Sequence, residues 1–392
     1  MIAIAILAAL TAASCGDSTD TAADNPPPTT PTATPTSAPA STGVAGCGAT
    51  AFTDQKDRTD TRTIARCDAG APAAKPLPTK TTIKLAAQTK GEYLAPVYLA
   101  QAFGEFEKEN LEVELVAISF SDAIPQLAAG RLDAVNGGPF AAFINGVVGG
   151  LDLKWVVANY SPPKGGQVSV PQSGLWVRRD AFTNPQSPDL SELKAKKLKV
   201  ANTQGAGTVA IYWLERAMTK AGISYGDVDF QVVPPADQVT ALKNNAISGA
   251  FLLDPYWRQA ATDTAAYAQV AVQPKEPNGG IFFGPNLLLK DPAVGEAFVR
   301  AYVRTINTYL AGDYKKDPKI IDALAKAIGV TTDSLSTGDP LTFEWEIREG
   351  LLDEVQPLYI KYAAVTSTKT PLPESKLVDR TFYAKVVGAT PK

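Results

Sequence analysis

The 392-residue chain contains no histidine. Histidine is the usual base of serine and cysteine nucleophile systems and the commonest metal ligand, so its absence excludes histidine-dependent triads and disfavours transition-metal sites. The sequence also lacks a nucleophile elbow, a phosphate-binding P-loop and a complete Gly-x-Gly-x-x-Gly motif. We therefore expect neither a cofactor nor an enzymatic activity, and binding without covalent chemistry is the simpler hypothesis.

Net charge and cysteine content are both low. The chain has 37 Lys and Arg against 40 Asp and Glu, a formal charge of −3, which gives no reason to expect a nucleic-acid partner. It has three cysteines, and Cys15 ends an apolar leader. Cys47 and Cys67 remain as an even pair, for which we expect a disulfide in an oxidising compartment; two unpaired surface thiols are the alternative.

The leader from Ile2 to Ser14 is apolar or small throughout. It has the length of a signal-peptide core and is too short to span a bilayer. Cys15 follows where a lipoprotein cleavage site places the cysteine whose thiol is acylated. The sequence thus predicts a signal peptide over residues 1–15 and an extracytoplasmic product that is anchored to the membrane by lipid. The alternative is an ordinary Ala-x-Ser site with a secreted or periplasmic product.

A low-complexity segment follows the leader. Every residue from 26 to 42 is Pro, Thr, Ala or Ser, a composition that cannot bury enough apolar surface to fold. We predict a flexible tether and polar extension over residues 16–80. The foldable remainder is long enough for two lobes, with lobe 1 over 81–175, lobe 2 over 176–278, and a return to lobe 1 with C-terminal helices over 279–392.

Short strands alternate with amphipathic helices after residue 81. Ile83–Ala86 and Leu111–Val116 read as strands around a helix predicted for Pro96–Glu109, and a similar series restarts near residue 198. The C-terminal region is richer in helices, and one is predicted for Phe343–Tyr362. Strands that alternate with helices imply mostly parallel sheets with right-handed crossovers. We expect an α/β fold of two lobes, with two parallel-rich sheets, helices on both faces of each sheet and a ligand cleft between the lobes.

Four loops lie where such a fold binds ligands, beyond the carboxyl ends of strands. They span residues 88–93, 136–140, 204–208 and 254–257, and the third opens a helix whose first backbone N–H groups can hold an anion or another polar group. A tight turn is the alternative for each loop, and Trp213 is expected in the core. The candidate ligand-binding residues are Thr89, Lys90, Glu92, Tyr93, Asn136, Gly137, Phe140, Gln204, Gly205, Gly207, Thr208, Asp254 and Tyr256.

Six short motifs occur in the order found in one family of transport proteins. They are Gln88-Thr89-Lys90-Gly91, Ala95–Ala100, Asn136-Gly137-Gly138, Gln204–Thr208, Pro235-Ala236-Asp237 and Asp254-Pro255-Tyr256-Trp257. On these motifs, the sequence from about residue 82 to Asp379 resembles the solute-binding proteins of ABC importers. The resemblance is to the branch that binds nitrate, taurine, aliphatic sulfonates and thiamine-pyrimidine precursors, and within it most to the aliphatic-sulfonate binders.

This resemblance implies a type II periplasmic-binding-protein fold, a small ligand such as a sulfonate or taurine, an ABC permease as partner, and a monomer. Where the sulfonate binders present serine hydroxyls, this chain has Ala206 and Gly207, which leaves Thr208 and backbone amides as donors. Glu92 would repel an anion or accept from a larger ligand. Three alternatives stay open: a binder of a pyrimidine or aromatic nutrient, a lyase-like enzyme on the same scaffold, and a ligand sensor for a membrane kinase.

Overall fold

The computed structural model describes residues 47, 52–162, 171–203, 205–277, 279–363 and 367–388. The predicted signal peptide, Cys15, the tether over residues 16–42 and Gln204 lie outside these residues. In the described part of the chain, no helix combines the length and the apolar character needed to cross a membrane.

The first sheet takes its strands from two separate parts of the chain. Twelve strands occur among the described residues and are numbered β1–β12 in chain order. Five form this sheet: β1 (Thr81–Ala87), β2 (Leu111–Ala117), β3 (Ala134–Gly137), β4 (Lys154–Ala158) and β11 (Gly280–Phe283). Their order is β2-β1-β3-β11-β4, and β11 alone runs antiparallel to its neighbours. In β2, Leu111 and Val113 are buried and Glu112 and Glu114 exposed, so its alternating sequence fits one covered face.

The second sheet repeats this arrangement. It contains β6 (Gly174–Arg178), β7 (Lys199–Asn202), β8 (Asp229–Val232), β9 (Gly249–Leu252) and β10 (Tyr267–Val272). The order is β10-β6-β9-β7-β8, with β6 as the antiparallel member. A short pair, β5 (Tyr160–Ser161) and β12 (Thr342–Phe343), lies outside both sheets. The chain crosses to the second sheet after β4 and returns before β11, and the predicted α/β class with two parallel-rich sheets is confirmed.

Helices connect the strands and dominate the C-terminal third. The described residues include α1 (Ala95–Ala102), α2 (Phe120–Ala128), α3 (Ala141–Val148), α4 (Glu192–Ala195), α5 (Ala210–Lys220), α6 (Pro235–Lys243), α7 (Tyr256–Ala261), α8 (Pro292–Tyr309), α9 (Pro318–Ile328), α10 (Thr332–Ser336), α11 (Leu351–Leu358), α12 (Glu374–Leu377) and α13 (Thr381–Val387). The long helix α8 is capped by Asp291, whose side chain accepts from the Val294 backbone N–H. Phe298 of α8 packs edge-on against Phe283 of β11, which places the helix on the first sheet.

Two predicted helices are shorter than expected. The helix predicted for Pro96–Glu109 ends at Ala102, because Gly104 adopts a left-handed conformation and the chain turns. The segment from Phe343 to Glu349, predicted as helix, is not helical; α11 begins only at Leu351. Glu344, Glu346 and Arg348 occupy every second position of this segment, and all three are buried. A spacing of two residues fits an extended chain.

Residues 52–80 differ from the predicted flexible extension because they pack onto the folded chain. Phe52 and Ala65 belong to the main hydrophobic core, and Arg62 is buried beside Glu344. Cys47 and Cys67 are joined by a disulfide, with their Cα atoms 4.7 Å apart. The sequence has few apolar residues here, and ion pairs with the C-terminal region replace them as the means of attachment.

Candidate functional site

A cavity of about 120 Å³ lies between the carboxyl ends of the strands of the two sheets. Strand ends and the loops after them supply its wall, as expected for ligand sites in open parallel sheets. From the first sheet come Thr89, Tyr93, Phe120, Asn136, Gly137, Phe140, Asn159 and Tyr160. From the second sheet come Asn202, Thr203, Thr208, Val209, Ala210, Trp213, Phe251 and Leu253.

Six aromatic residues line the cavity. Phe120 and Phe140 pack edge to face with centroids 4.6 Å apart on the first-sheet side. Trp213 and Phe251 lie 5.0 Å apart on the opposite side. Rings on two facing walls form a slot that suits a flat or apolar solute, since such pockets bind largely through apolar contact and stacking.

The cavity wall is electrically neutral. None of its described residues is Asp, Glu, Lys or Arg. Burial raises the pKa of Tyr93 and of Tyr160, so both phenols stay protonated. The hydroxyls of Tyr93 and Thr89 are hydrogen-bonded at 2.7 Å, and Tyr160 donates to Gln273 Oε1 at 3.1 Å. The polar groups offered to a ligand are therefore amides, hydroxyls and an indole N–H.

Three buried polar atoms on this wall have no hydrogen-bond partner among the described residues. They are Asn136 Nδ2, Thr208 Oγ1 and Trp213 Nε1. Asn136 is 6% exposed, and Thr208 and Trp213 are 5% exposed each. A buried donor without a partner costs about 1–3 kcal/mol, and native proteins keep few of them. All three atoms can donate, so a ligand with acceptor atoms would satisfy them.

Local structure sets the positions of the three donors. Asn136 lies near the end of β3, where the strand delivers its side chain to the cavity. Thr208 lies two residues before α5 and Trp213 in its first turn, so both are near the helix end that faces the cavity. Asn202 at the end of β7 donates from Nδ2 to the carbonyl oxygen of Gly205 at 2.9 Å, and this bond fixes the loop before α5.

Six of the predicted site residues lie together on the cavity wall. They are Thr89, Tyr93, Asn136, Gly137, Phe140 and Thr208. Lys90 is instead exposed, and Gly205 and Gly207 belong to a short 3-10 turn and do not line the cavity. Tyr256 packs against the second hydrophobic cluster, which is built around Trp176 and Trp257. Gln204 is outside the described residues.

Glu92 and Asp254, predicted as ligand contacts, belong to a buried ion-pair group beside the cavity. Arg258 Nη2 lies 2.5 Å from Glu92 Oε2, and Arg258 Nε lies 2.6 Å from Asp254 Oδ1. Lys315 Nζ is 3.2 Å from Glu92 Oε1, and Tyr314 donates to the same oxygen. We call these five residues the Arg258 cluster. Its carboxylates are paired with cations of the protein, and both carboxylate residues also line a small neighbouring cavity.

Sequence reasoning missed several residues on the cavity wall. Trp213 was expected in the core because its position in α5 is interior, and it is indeed buried, but it also lines the cavity. Asn159 and Asn202 also reach the wall. Asn159 and Asn202 both lie at or just beyond strand ends, the signal by which the four candidate loops were chosen, and this signal points to them equally.

Comparison with known proteins assigns the fold and the family. A model of the NMT1-like family matches residues 78–328 of the chain. No curated protein sequence matches the chain. The alkanesulfonate-binding protein SsuA from Xanthomonas axonopodis pv. citri, solved with MOPS bound, is 14% identical, with a TM-score of 0.60 over 78% of this chain and 100% of the other.

Two further solved structures share the fold. The periplasmic aliphatic sulphonate binding protein SsuA from Escherichia coli is 16% identical, with a TM-score of 0.57 over 76% of this chain and 92% of the other. The periplasmic nitrate-binding protein NrtA from Synechocystis PCC 6803 is 16% identical, with a TM-score of 0.58 over 80% and 90%. The predicted periplasmic-binding-protein fold is thereby confirmed.

Proposed function

The chain belongs to the NMT1-like family, and we propose that it is an extracytoplasmic solute-binding protein that delivers a small organic molecule to the permease of an ABC importer. The cavity between the two sheets is the observation that carries this proposal, because it combines stacking surfaces with buried donors that have no partner in the described protein. The fold shared with sulfonate- and nitrate-binding proteins supports it.

The neutral cavity wall favours an uncharged ligand over a sulfonate or taurine. An anion in a buried site needs compensation by a cation or by many donors, since an uncompensated buried charge is costly. The wall offers neutral donors, of which Asn136, Thr208 and Trp213 have capacity to spare, and two aromatic faces. A flat, uncharged solute with ring nitrogen or carbonyl acceptors fits these features, which supports the pyrimidine or aromatic nutrient among the alternatives.

Calorimetric titration with four probes tests this ligand class. We expect an uncharged aminopyrimidine to bind more tightly than taurine, ethanesulfonate or nitrate. Ionic strength should have little effect on binding of the uncharged probe, because no charge is neutralised. Tight binding of any of the three ions, with no binding of the uncharged probe, would favour a sulfonate- or nitrate-type ligand instead.

An enzyme on this scaffold is the competing class. Among the described residues of the cavity wall there is no Cys, Asp, Glu or Lys to act as nucleophile or base. A binding protein returns its solute unchanged, so mass spectrometry of a probe recovered after long incubation distinguishes the two classes. A product of altered mass would support catalysis.

We further propose that the mature protein is a lipid-anchored monomer. The apolar leader, Cys15 and the spacer over residues 26–42 occur together in the order that an anchored domain requires. Cys15→Ser should release the protein into the medium while leaving ligand binding unchanged. Intact-mass analysis of the native protein checks the modification, and an unmodified Cys15 in the mature chain would contradict the anchor.

The lobes would then close around the ligand by rotation about the two chain crossings. We assign lobe 1 to residues 81–175 and 279–392 and lobe 2 to residues 176–278; the strand order of the two sheets supports this division, with β6 of the second sheet beginning two residues earlier, at Gly174. Small-angle scattering should show a smaller radius of gyration at saturating ligand, and an unchanged radius would argue for a rigid cavity.

A further inference from the structure

A segment ahead of the first sheet is fixed at both of its ends to the first-sheet side of the molecule. We call residues 52–67 the strap. Near its start, Thr53 N donates to Glu346 Oε1 at 2.9 Å, and Tyr383 of α13 donates to Gln55 Oε1 at 3.4 Å. At its end, Cys67 N donates to Asn307 Oδ1 of α8 at 3.0 Å. Because α8 packs on β11, these anchors move with the first sheet.

The middle of the strap contacts both places where the chain crosses between the sheets. Arg62 Nη2 donates to Ser161 Oγ at 3.1 Å in the first crossing, and Arg62 Nη1 donates to the carbonyl oxygen of Lys275 in the second. The same side chain forms an ion pair with Glu344 and is buried. A single guanidinium therefore joins the two crossings and the C-terminal segment, and buried pairs of this kind hold one geometry.

Arg58 extends the strap to the second-sheet side. Its Nε lies 2.6 Å from Glu276 Oε2, and its Nη2 lies 3.1 Å from the hydroxyl oxygen of Tyr212 in α5. Its Nη1 lies 2.6 Å from Glu354 Oε1 in α11. The next residue after Tyr212 is Trp213, which lines the cavity. Arg58 thus binds the helix that carries the far side of the cavity.

We infer that the strap restrains opening of the cavity, with Arg58 as a contact that, together with the Arg258–Glu92 pair, must break when the two sheets move apart. Rotation of the second sheet away from the first would carry Tyr212 and its helix away from a strap whose ends stay on α8 and α13. Charge-assisted hydrogen bonds resist such separation more than neutral ones do. Arg58 acts here as a positioning residue, since it does not line the cavity. The inference rests on the proposed opening of a binding cleft, but its test needs no ligand.

Distances between spin labels in the ligand-free, disulfide-intact protein test the strap. Glu114→Cys on β2 and Lys243→Cys on α6 give exposed label sites on the two sheets' elements. We expect a narrow distance distribution with the native strap. Arg58→Met, which keeps the length of the side chain and removes its charge, should raise the population at longer distances about tenfold, the effect of losing one charged hydrogen-bonding group.

Lys385→Met is the matched control, because it breaks an exposed ion pair with Glu296 between two first-sheet helices and should leave the distribution unchanged. Tyr212→Phe removes the α5 hydroxyl that accepts from Arg58 Nη2 and serves as a second variant that does not depend on Arg58→Met folding. Longer distances in both strap variants support the strap. Distributions that match the wild type, or that shift equally in Lys385→Met, overturn it, whichever solute the cavity binds.

Discussion

The cavity and the Arg258 cluster lie side by side but differ in how fully their buried polar groups are hydrogen-bonded. In the cluster, every buried carboxylate oxygen has a cation or donor within hydrogen-bonding distance. Arg258 donates to one oxygen of Glu92 and one of Asp254, Lys315 and Tyr314 donate to the other oxygen of Glu92, and the Glu92 backbone N–H donates to the other oxygen of Asp254. On the cavity wall, three buried donors have no partner in the described protein and no charge is present. A fully paired group serves stability or orientation, whereas unpaired donors keep binding capacity for a solute.

The largest expected effect comes from breaking the paired region. Arg258→Met removes the cation and leaves two buried carboxylates without it, so the free energy of unfolding should fall by about 3–5 kcal/mol. Chemical denaturation measures this loss. The control Lys80→Met breaks an exposed pair with Glu112 and should have no measurable effect. A stability loss in Arg258→Met no larger than in the control would mean that the cluster is not a structural unit.

A smaller loss of stability is expected when a methyl group is added to the cavity wall at Gly137. A Cβ at Gly137 would lie 2.1 Å from a ring carbon of Phe120, so Gly137→Ala must displace that ring. We expect a loss of about 1–3 kcal/mol in stability from overpacking and a clear loss of solute affinity, since Phe120 lines the cavity. Gly312→Ala, where an added Cβ meets nothing within 4 Å, is the control. Unchanged affinity in Gly137→Ala would place the solute elsewhere.

The smallest change in free energy is expected when a single hydroxyl is removed, and the result should depend on whether that hydroxyl has a hydrogen-bond partner. Thr208→Val removes a buried hydroxyl that has no partner among the described residues, so stability should stay the same or rise slightly, while affinity should fall by about 0.5–1.5 kcal/mol. Thr305→Val removes a hydroxyl that donates to the Ala301 carbonyl oxygen at 2.8 Å, so it should lower stability and leave affinity unchanged. Thermal unfolding and calorimetry together check both variants, and equal stability losses would contradict the contrast.

The sequence predicts the positions of the strand ends better than it predicts which side chains there are free to contact a ligand. Asn136 and Phe140 were located because a parallel sheet brings the carboxyl ends of its strands to one edge. The ion pair of Glu92 was not predicted, because its partner, Arg258, is 166 residues away in the chain. The spacing from Asp254 to Arg258, one helical turn, was visible and indicates a local ion pair. Trp213 shows a further limit of prediction from sequence. Helical periodicity indicates that a residue is buried, but not whether it faces a hydrophobic core or a cavity.

The attachment of residues 52–67 was equally hidden. The segment is polar and has few apolar residues, which by composition resembles a linker. Its order comes from single contacts such as the Arg62–Glu344 ion pair, which join positions 282 residues apart. The alternation of Glu344, Glu346 and Arg348 is the one local sign that this part of the C-terminal region is extended and has partners.

Native mass spectrometry of the protein purified from its own host, with identification of the released solute, tests the central claim most directly. We expect one solute per chain, without an ionised acid group, whose occupancy is lower in Thr208→Val and lowest in Gly137→Ala. A sulfonate, nitrate or another anion in the wild-type protein, or full occupancy in both variants, would contradict the account of a neutral cavity that binds through its unpaired donors.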